Sequence, residues 1–181
     1  MKRDRPNTDW CQIFVGLRCA PGLLAAVGWG GDPAKEISEA MACVEAVRRR
    51  VPRGALADRS RSVLVVGDGT SPRVGAMLAV RSGWSVVSVD PAMRLDGPHP
   101  RIDRLVCRRD RVEAVDELFD VVIACHSHAP VAATQARLKP GGLGVTLECC
   151  VSWTSAPGLI ESYEDHWCLS AARTMRVWGA A

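Results

Sequence analysis

The chain has 181 residues, 48% of them hydrophobic and 24% charged, with a formal net charge of +3. That is long enough to bury a full core and matches an ordinary globular balance rather than a disordered or fibrous one. No apolar run approaches the ~20 residues of a membrane-spanning helix. The basic start, MKRDRPNTDW, has no apolar stretch or cleavage site behind it, so the expectation is a cytoplasmic protein without a secretory signal.

Residues 1–31 show no sustained period, and only a short helix around Pro21–Val27 is predicted there, followed by a glycine-rich connection. Asp32 and Pro33 then form an N-cap and first-turn pair. Ile37, Ala40, Met41, Val44 and Val47 recur at helical spacing, predicting a helix over about Ala34–Arg50 that Pro52 and Gly54 end. Residues 1–61 thus read as an N-terminal extension and helix packing on a sheet, and 62–181 as the core, in one compact domain.

The core opens with Val63-Leu64-Val65-Val66, a β-branched run too short for a helix. Gly67 and Gly69 follow, then a helix over Arg73–Arg81, then a second strand, Trp84–Val89, ending on Asp90. Strand, glycine turn, helix, strand, acid is the outline of a nucleotide-binding half of a doubly wound fold. Glycines admit a ligand close to the backbone, the helix start offers free N–H groups, and an acid at the second strand tip can accept from both ribose hydroxyls. The other reading of Gly67 and Gly69 is a tight strand-to-helix turn with no ligand.

Beyond Asp90, Pro91, Pro98 and Pro100 impose a loop. A strand near Ile102–Cys107, a short helix around Val112–Leu118, a strand from Asp120 to Cys125 and a helix over Pro130–Leu138 follow. Lys139-Pro140-Gly141-Gly142 reads as a helix stop before a fifth strand, Leu143–Cys149. The tail is predicted to contain a polar loop at 152–158, one helical turn at Leu159–Tyr163, and a hairpin of His166–Leu169 with Thr174–Trp178. The expected fold class is α/β: a doubly wound, mostly parallel sheet with helices on both faces and a C-terminal antiparallel hairpin.

Eight cysteines carry no CxxC pair, and Cys107, Cys125 and Cys149 fall in apolar strand-like runs, so buried free thiols are expected and no metal. His126 and His128 stand at the fourth strand's tip. An HxH pair can hold a metal, but by sequence only Cys125 lies alongside. As bases, two histidines near a strand end are candidates for catalysis, His126 first. Glu148 is a weaker catalytic candidate, or a residue facing solvent near its strand end. Trp153 and Trp167 are read as core side chains or stacking platforms. Basic side chains exceed acidic ones up to Arg111, with clusters at Arg48–Arg61 and Arg101–Arg111. This is either a solvated surface or a patch for a polyanion such as RNA.

These stretches carry a resemblance. VLVVGDGTS resembles the first motif of class I S-adenosylmethionine-dependent methyltransferases, and SVVSVDP their second, with Asp90 and Pro91 at the ribose position. Arg109-Asp110 is similar to the acid after strand three that meets the adenine amine; FDVVIAC and LKPGGLGVTLE resemble the later motifs in family order. The resemblance implies S-adenosylmethionine as cofactor, held by Gly67, Asp68, Gly69, Thr70, Asp90, Pro91 and Asp110. It implies methyl transfer to an unidentified small-molecule or RNA acceptor. Two positions depart from the pattern: Val65 stands where the family has an acid, and Ser71 where it has a third glycine. Asp68 is expected to substitute in part for the missing acid. A non-catalytic scaffold of the same fold is the alternative, and a nicotinamide-dependent oxidoreductase ranks third because GDGTSP places Pro72 at the last glycine of GxGxxG.

Overall fold

The computed structural model describes residues 9–97, 99–154 and 157–180. The basic first residues, Pro98 of the proline-rich loop and positions 155–156 of the polar loop lie outside the described residues.

The β-branched runs become the strands of one seven-stranded sheet. They are β1 (Ser62–Val66), β2 (Ser85–Val89), β3 (Leu105–Arg108), β4 (Phe119–Cys125), β5 (Leu138–Leu147), β6 (Leu159–Glu164) and β7 (Thr174–Gly179). Their order across the sheet is β3-β2-β1-β4-β5-β7-β6. The first five are parallel, and β7 enters antiparallel between β5 and β6. Side chains alternate between two cores, as the period of a strand requires. Val63, Val65, Val121 and Ile123 face one cluster, and Leu64, Val66, Val122 and Ala124 face another that contains Trp153 and Trp178. This is the doubly wound, mostly parallel α/β sheet with a terminal antiparallel hairpin. Among the described residues no helix is long and apolar enough to cross a membrane.

The helices are α1 (Trp10–Val15), α2 (Ala20–Ala26), α3 (Pro33–Arg50), α4 (Arg73–Arg81) and α5 (Val131–Gln135). Asp32 caps α3 by accepting from Lys35 N, as its position predicts, and α3 packs on α4 and β5. Every residue from Ile37 to Val47 on α3 is buried, including Glu39 and Glu45. Glu45 is matched by Arg48 at 2.5 Å and Arg81 at 2.9 Å. Helix α1 has no counterpart in the sequence pattern; Asp9 caps it by accepting from Gln12 N, and Trp10 and Phe14 are buried.

Four expectations are corrected. The tail hairpin is β6 with β7, so Leu159–Tyr163 is a strand rather than a helical turn. Along it Glu161 and Tyr163 are half-buried while their neighbours are exposed, an alternation suited to a charged edge strand. His166–Leu169 is instead a connection that docks the N-terminal helices. Trp10 Nε1 donates to Asp165 Oδ1 at 2.9 Å, and Leu169 N donates to Ser38 Oγ at 2.9 Å. Residues 112–118 form only a single turn, Val112–Ala114, because Val112 and Val115 are buried while Arg108 forks onto Glu117 at 3.0 and 2.6 Å. Finally, Lys139–Gly142 lies inside β5. Leu138 pairs with Phe119, the register then shifts, and a side chain on Gly142 would strike Leu138 and the Asp120 carbonyl.

Candidate functional site

The tips of β1, β2 and β4 meet at one edge of the sheet. Gly67 and Gly69 turn the chain out of β1 with φ of 78° and 75°. Gly67 has a packing reason of its own: a Cβ there would lie 2.6 Å from Ser127 Cβ, so the tips of β1 and β4 close only over a glycine. Gly69 meets nothing closer than Arg73 Nη1 at 3.3 Å, and its amide donates to Asp90 Oδ2 at 2.9 Å. Asp90 Oδ1 accepts from Ala92 N at 2.7 Å. Two backbone amides thus fix the carboxylate, and its remaining lone pairs stay available, since a carboxylate offers about four acceptor sites.

Of the residues singled out in the sequence, Gly67, Gly69, Thr70, Asp90, Pro91, Asp110, His126 and His128 line one cleft of about 710 Å³. Val66, Val89, Val112, Ala129 and Pro130 supply its apolar walls. Asp68 is the exception. It is buried, and its carboxylate accepts from Val74 N, Gly75 N and Ser88 Oγ at 2.9, 2.9 and 2.8 Å. Burial pushes its pKa up while those donors pull it down. Its side chain anchors the start of α4, and Asp68 lines a second, smaller cleft rather than this one. Val65 is fully buried among apolar neighbours, so no acid enters from β1.

Ser71 and Arg73 clamp the N-terminal segment. Gly28 N donates to Ser71 Oγ at 2.9 Å, Arg73 Nε donates to Gly28 O at 3.0 Å, and Arg73 Nη1 pairs with Glu36 at 3.1 Å. This brings the first turns of α3 to the site. A second cleft of about 470 Å³ shares Gly67, Gly69 and His126 with the first, and is lined also by Lys35, Glu36, Glu39 and Ser170.

His126 stands between the two clefts with φ of 49°, a backbone conformation rare for a residue with a side chain and concentrated at functional positions. Its Nε2 is 2.9 Å from Glu39 Oε1 and 3.3 Å from Ser170 Oγ. The tautomer with a hydrogen on Nε2, facing the Glu39 and Ser170 oxygens, has its free lone pair on Nδ1. Burial alone would raise the Glu39 pKa. The contacts from His126, Lys35 and Ser170 outweigh it and hold the carboxyl below its ordinary range. Sequence reasoning misses Glu39 because it sits on a helix whose pattern reads as apolar; the available signal is an acid inside an otherwise buried stripe. His128 is exposed, with Nε2 3.2 Å from Cys150 Sγ. The HxH pair therefore diverges, and Cys125 turns to Cys43, which together with burial raises its pKa well above the ordinary thiol value.

The other candidates are structural. Glu148 Oε1 accepts from Trp153 N at 2.6 Å and Arg176 Nε at 2.5 Å. Trp153 is buried and stacks on Trp178 with centroids 5.7 Å apart, and Trp167 meets Trp10 edge-on at 4.9 Å. In the arginine cluster, Arg48, Arg50 and Arg61 pair with Glu45, Glu161 and Asp58.

The parallel sheet with a cleft at its carboxyl ends and a reversed strand at one side is a Rossmann-like α/β fold. No protein-family model and no curated protein matches the chain. Among solved structures, a single-site mutant of MtNAS is similar over 84% of this chain and 66% of its own, with a TM-score of 0.54 and 13% identity. The 16S rRNA (adenine(1408)-N(1))-methyltransferase from Catenulisporales acidiphilia is similar over 70% of this chain and 90% of its own, with a TM-score of 0.47 and 16% identity. The antibiotic-resistance methyltransferase Kmr covers the same shares with a TM-score of 0.46 and 14% identity. At these identities the likeness is one of fold.

Proposed function

We propose that the chain is an S-adenosylmethionine-dependent methyltransferase acting on a small acceptor. The observation that carries this reading is the convergence of Gly67, Gly69, Thr70, Asp90 and Asp110 on one cleft at the carboxyl ends of β1 to β3. Asp90 would hold the ribose hydroxyls and Asp110 the adenine amine, with Val89 and Val112 as apolar walls for the ring. Glu36, Glu39 and Asp68 line the smaller cleft and would supply the acid that Val65 does not. The cofactor would supply a methyl group for displacement by an acceptor nucleophile, with sulfur keeping the electron pair of the broken bond, and His126 Nδ1 would take the acceptor's proton. Glu39 holds the ring by Nε2 and balances the charge it gains.

Pairing of Arg48, Arg50 and Arg61 with acids reduces the free positive charge of the first cluster, which favours a small acceptor, although Arg111 of the second cluster lines the cleft. Lys35, Glu36 and Glu39 place the N-terminal end of α3 at the site. Arg48 is nine residues beyond Glu39, roughly 14 Å along the helix at 1.5 Å per residue. A nicotinamide reading is disfavoured by the sheet, since the reversed β7 lies beside β5 where the dinucleotide fold has a sixth parallel strand. The buried Val65 favours a non-catalytic scaffold as the second reading.

Calorimetry with S-adenosylmethionine and with NAD, on the parent and on Asp90→Ala, tests the proposal. Binding of the first ligand only, weakened at least about tenfold by the substitution, is expected from the loss of charge-assisted hydrogen bonds of about 1.5–3 kcal/mol each. No binding at millimolar ligand, or equal affinity in the variant, overturns the cofactor site. His126→Ala should then retain cofactor affinity and lose most of the transfer rate from labelled cofactor. Tight binding with no transfer to any acceptor supports the scaffold.

A further inference from the structure

We propose that His128, Cys149 and Cys150 form a binding site for a thiophilic metal ion, zinc in the first instance, on the rim of the cleft. The three residues come from the connections after β4 and β5, and their ligand atoms all lie within 4.8 Å of one another. Cys149 Sγ and Cys150 Sγ are 3.8 Å apart, and Cys150 Sγ is 3.2 Å from His128 Nε2. A tetrahedral zinc ion with bonds of about 2.3 Å to sulfur and 2.0–2.1 Å to nitrogen sets two sulfurs ~3.8 Å apart and sulfur and nitrogen ~3.6 Å apart. The sulfur–sulfur edge already has that length; of the two sulfur–nitrogen edges, Cys150–His128 is slightly short at 3.2 Å and Cys149–His128 lies within 4.8 Å, so side-chain rotation completes the triangle. His128 and Cys150 are exposed and free to make it.

The backbone around the triad is held independently of any ion. Glu148 ties Trp153 N to Arg176, and the buried Trp153 ring anchors the far end of the loop. On the other side His126 N donates to Leu147 O at 2.9 Å. Preorganisation of this kind lowers the ordering cost of binding. Two thiolates and an imidazole select zinc or copper(I) over magnesium or calcium, which prefer oxygen. On binding, the two thiol protons pass to solvent, and the neutral imidazole donates its Nε2 lone pair. Three protein ligands leave a fourth position for water or an exogenous molecule, the open arrangement of zinc sites that take part in chemistry. The ion would also join the β4 and β5 tips beside His126. None of this depends on the cofactor assigned to the cleft.

The test is titration of the reduced full-length chain with zinc chloride against a chromophoric chelator, with cobalt(II) as a spectroscopic probe. One equivalent is expected to bind, and His128→Ala, Cys149→Ser and Cys150→Ser should each weaken it at least about tenfold, because even outer-shell partners of a ligand are worth 10–100-fold. Cobalt should show a thiolate charge-transfer band that Cys149→Ser/Cys150→Ser abolishes, whereas Cys11→Ala and Cys19→Ala leave it in place. No competition with the chelator, or binding that survives the double substitution, overturns the site.

Discussion

Substituting Gly67 and Gly69 separately distinguishes two reasons for a glycine in the turn after β1. Both have positive φ, 78° and 75°, which costs an L side chain roughly 1–2 kcal/mol. Gly67→Ala adds a second cost. Its Cβ would lie 2.6 Å from Ser127 Cβ and Oγ and 2.9 Å from Ser127 Cα, forcing the tips of β1 and β4 apart. Overpacking of this kind costs about 1–3 kcal/mol, for a total of about 2–5 kcal/mol. Gly69→Ala meets only the flexible end of Arg73 at 3.3 Å, so the left-handed cost of about 1–2 kcal/mol is all that is expected. Ser127→Gly removes the Cβ and Oγ overlap but also the acceptor for Ala129 N, a loss of about 1 kcal/mol. Gly67→Ala/Ser127→Gly should therefore be more stable than the sum of its single substitutions by about 1–2 kcal/mol, as expected for residues in contact. Urea unfolding followed by circular dichroism and tryptophan fluorescence measures each value. Equal losses for Gly67→Ala and Gly69→Ala, or an additive double substitution, would refute the argument that closure of the two strand tips requires Gly67.

Asp68→Ala leaves Val74 N, Gly75 N and Ser88 Oγ without their acceptor, and thermal denaturation should show a loss of about 2–4 kcal/mol; a loss under about 1 kcal/mol would mean that water or a neighbour replaces the carboxylate. Burial tends to raise the Asp120 pKa, but Lys139 Nζ at 2.9 Å and the Ser62 amide and hydroxyl bring it below its ordinary value. Its stabilisation is therefore present above the unfolded pKa of about 3.9 and is lost as pH falls through the folded pKa. Asp120→Ala should cost about 1–3 kcal/mol at pH 7, and the gap to the parent should close on acidification; a gap constant down to pH ~2 would contradict this assignment. Gly144→Ala drives a methyl into the Trp178 ring across the β5–β7 pair and should abolish cooperative unfolding or cost more than about 3 kcal/mol; near-normal stability would mean that the ring moves freely.

Much of the fold was legible because its signals are local. The run Val63–Val66 buries both faces, so a short β-branched segment reads as a central strand whatever surrounds it. Asp32-Pro33 and the apolar spacing behind it mark α3 to within a residue, since capping acts within one turn. Asp90 and Asp110 follow strands at the same sheet edge, so parallel pairing alone brings them together. What the sequence could not decide depends on contacts between distant segments. Leu159–Glu164 has weak strand periodicity and becomes a strand because β7 offers it an edge. Asp68 reads like a ligand of the turn, yet burial leaves its carboxylate no partner but the α4 amides and Ser88. Glu39 lies 87 residues before His126, and Cys150 lies 22 after His128; only the packing of α3 on the sheet, and of one strand tip beside the next, sets these groups within 2.9 and 3.2 Å. Side-chain chemistry is written along the chain, but which groups share a site is decided by tertiary packing, because a few ångströms separate an interacting pair from two isolated residues.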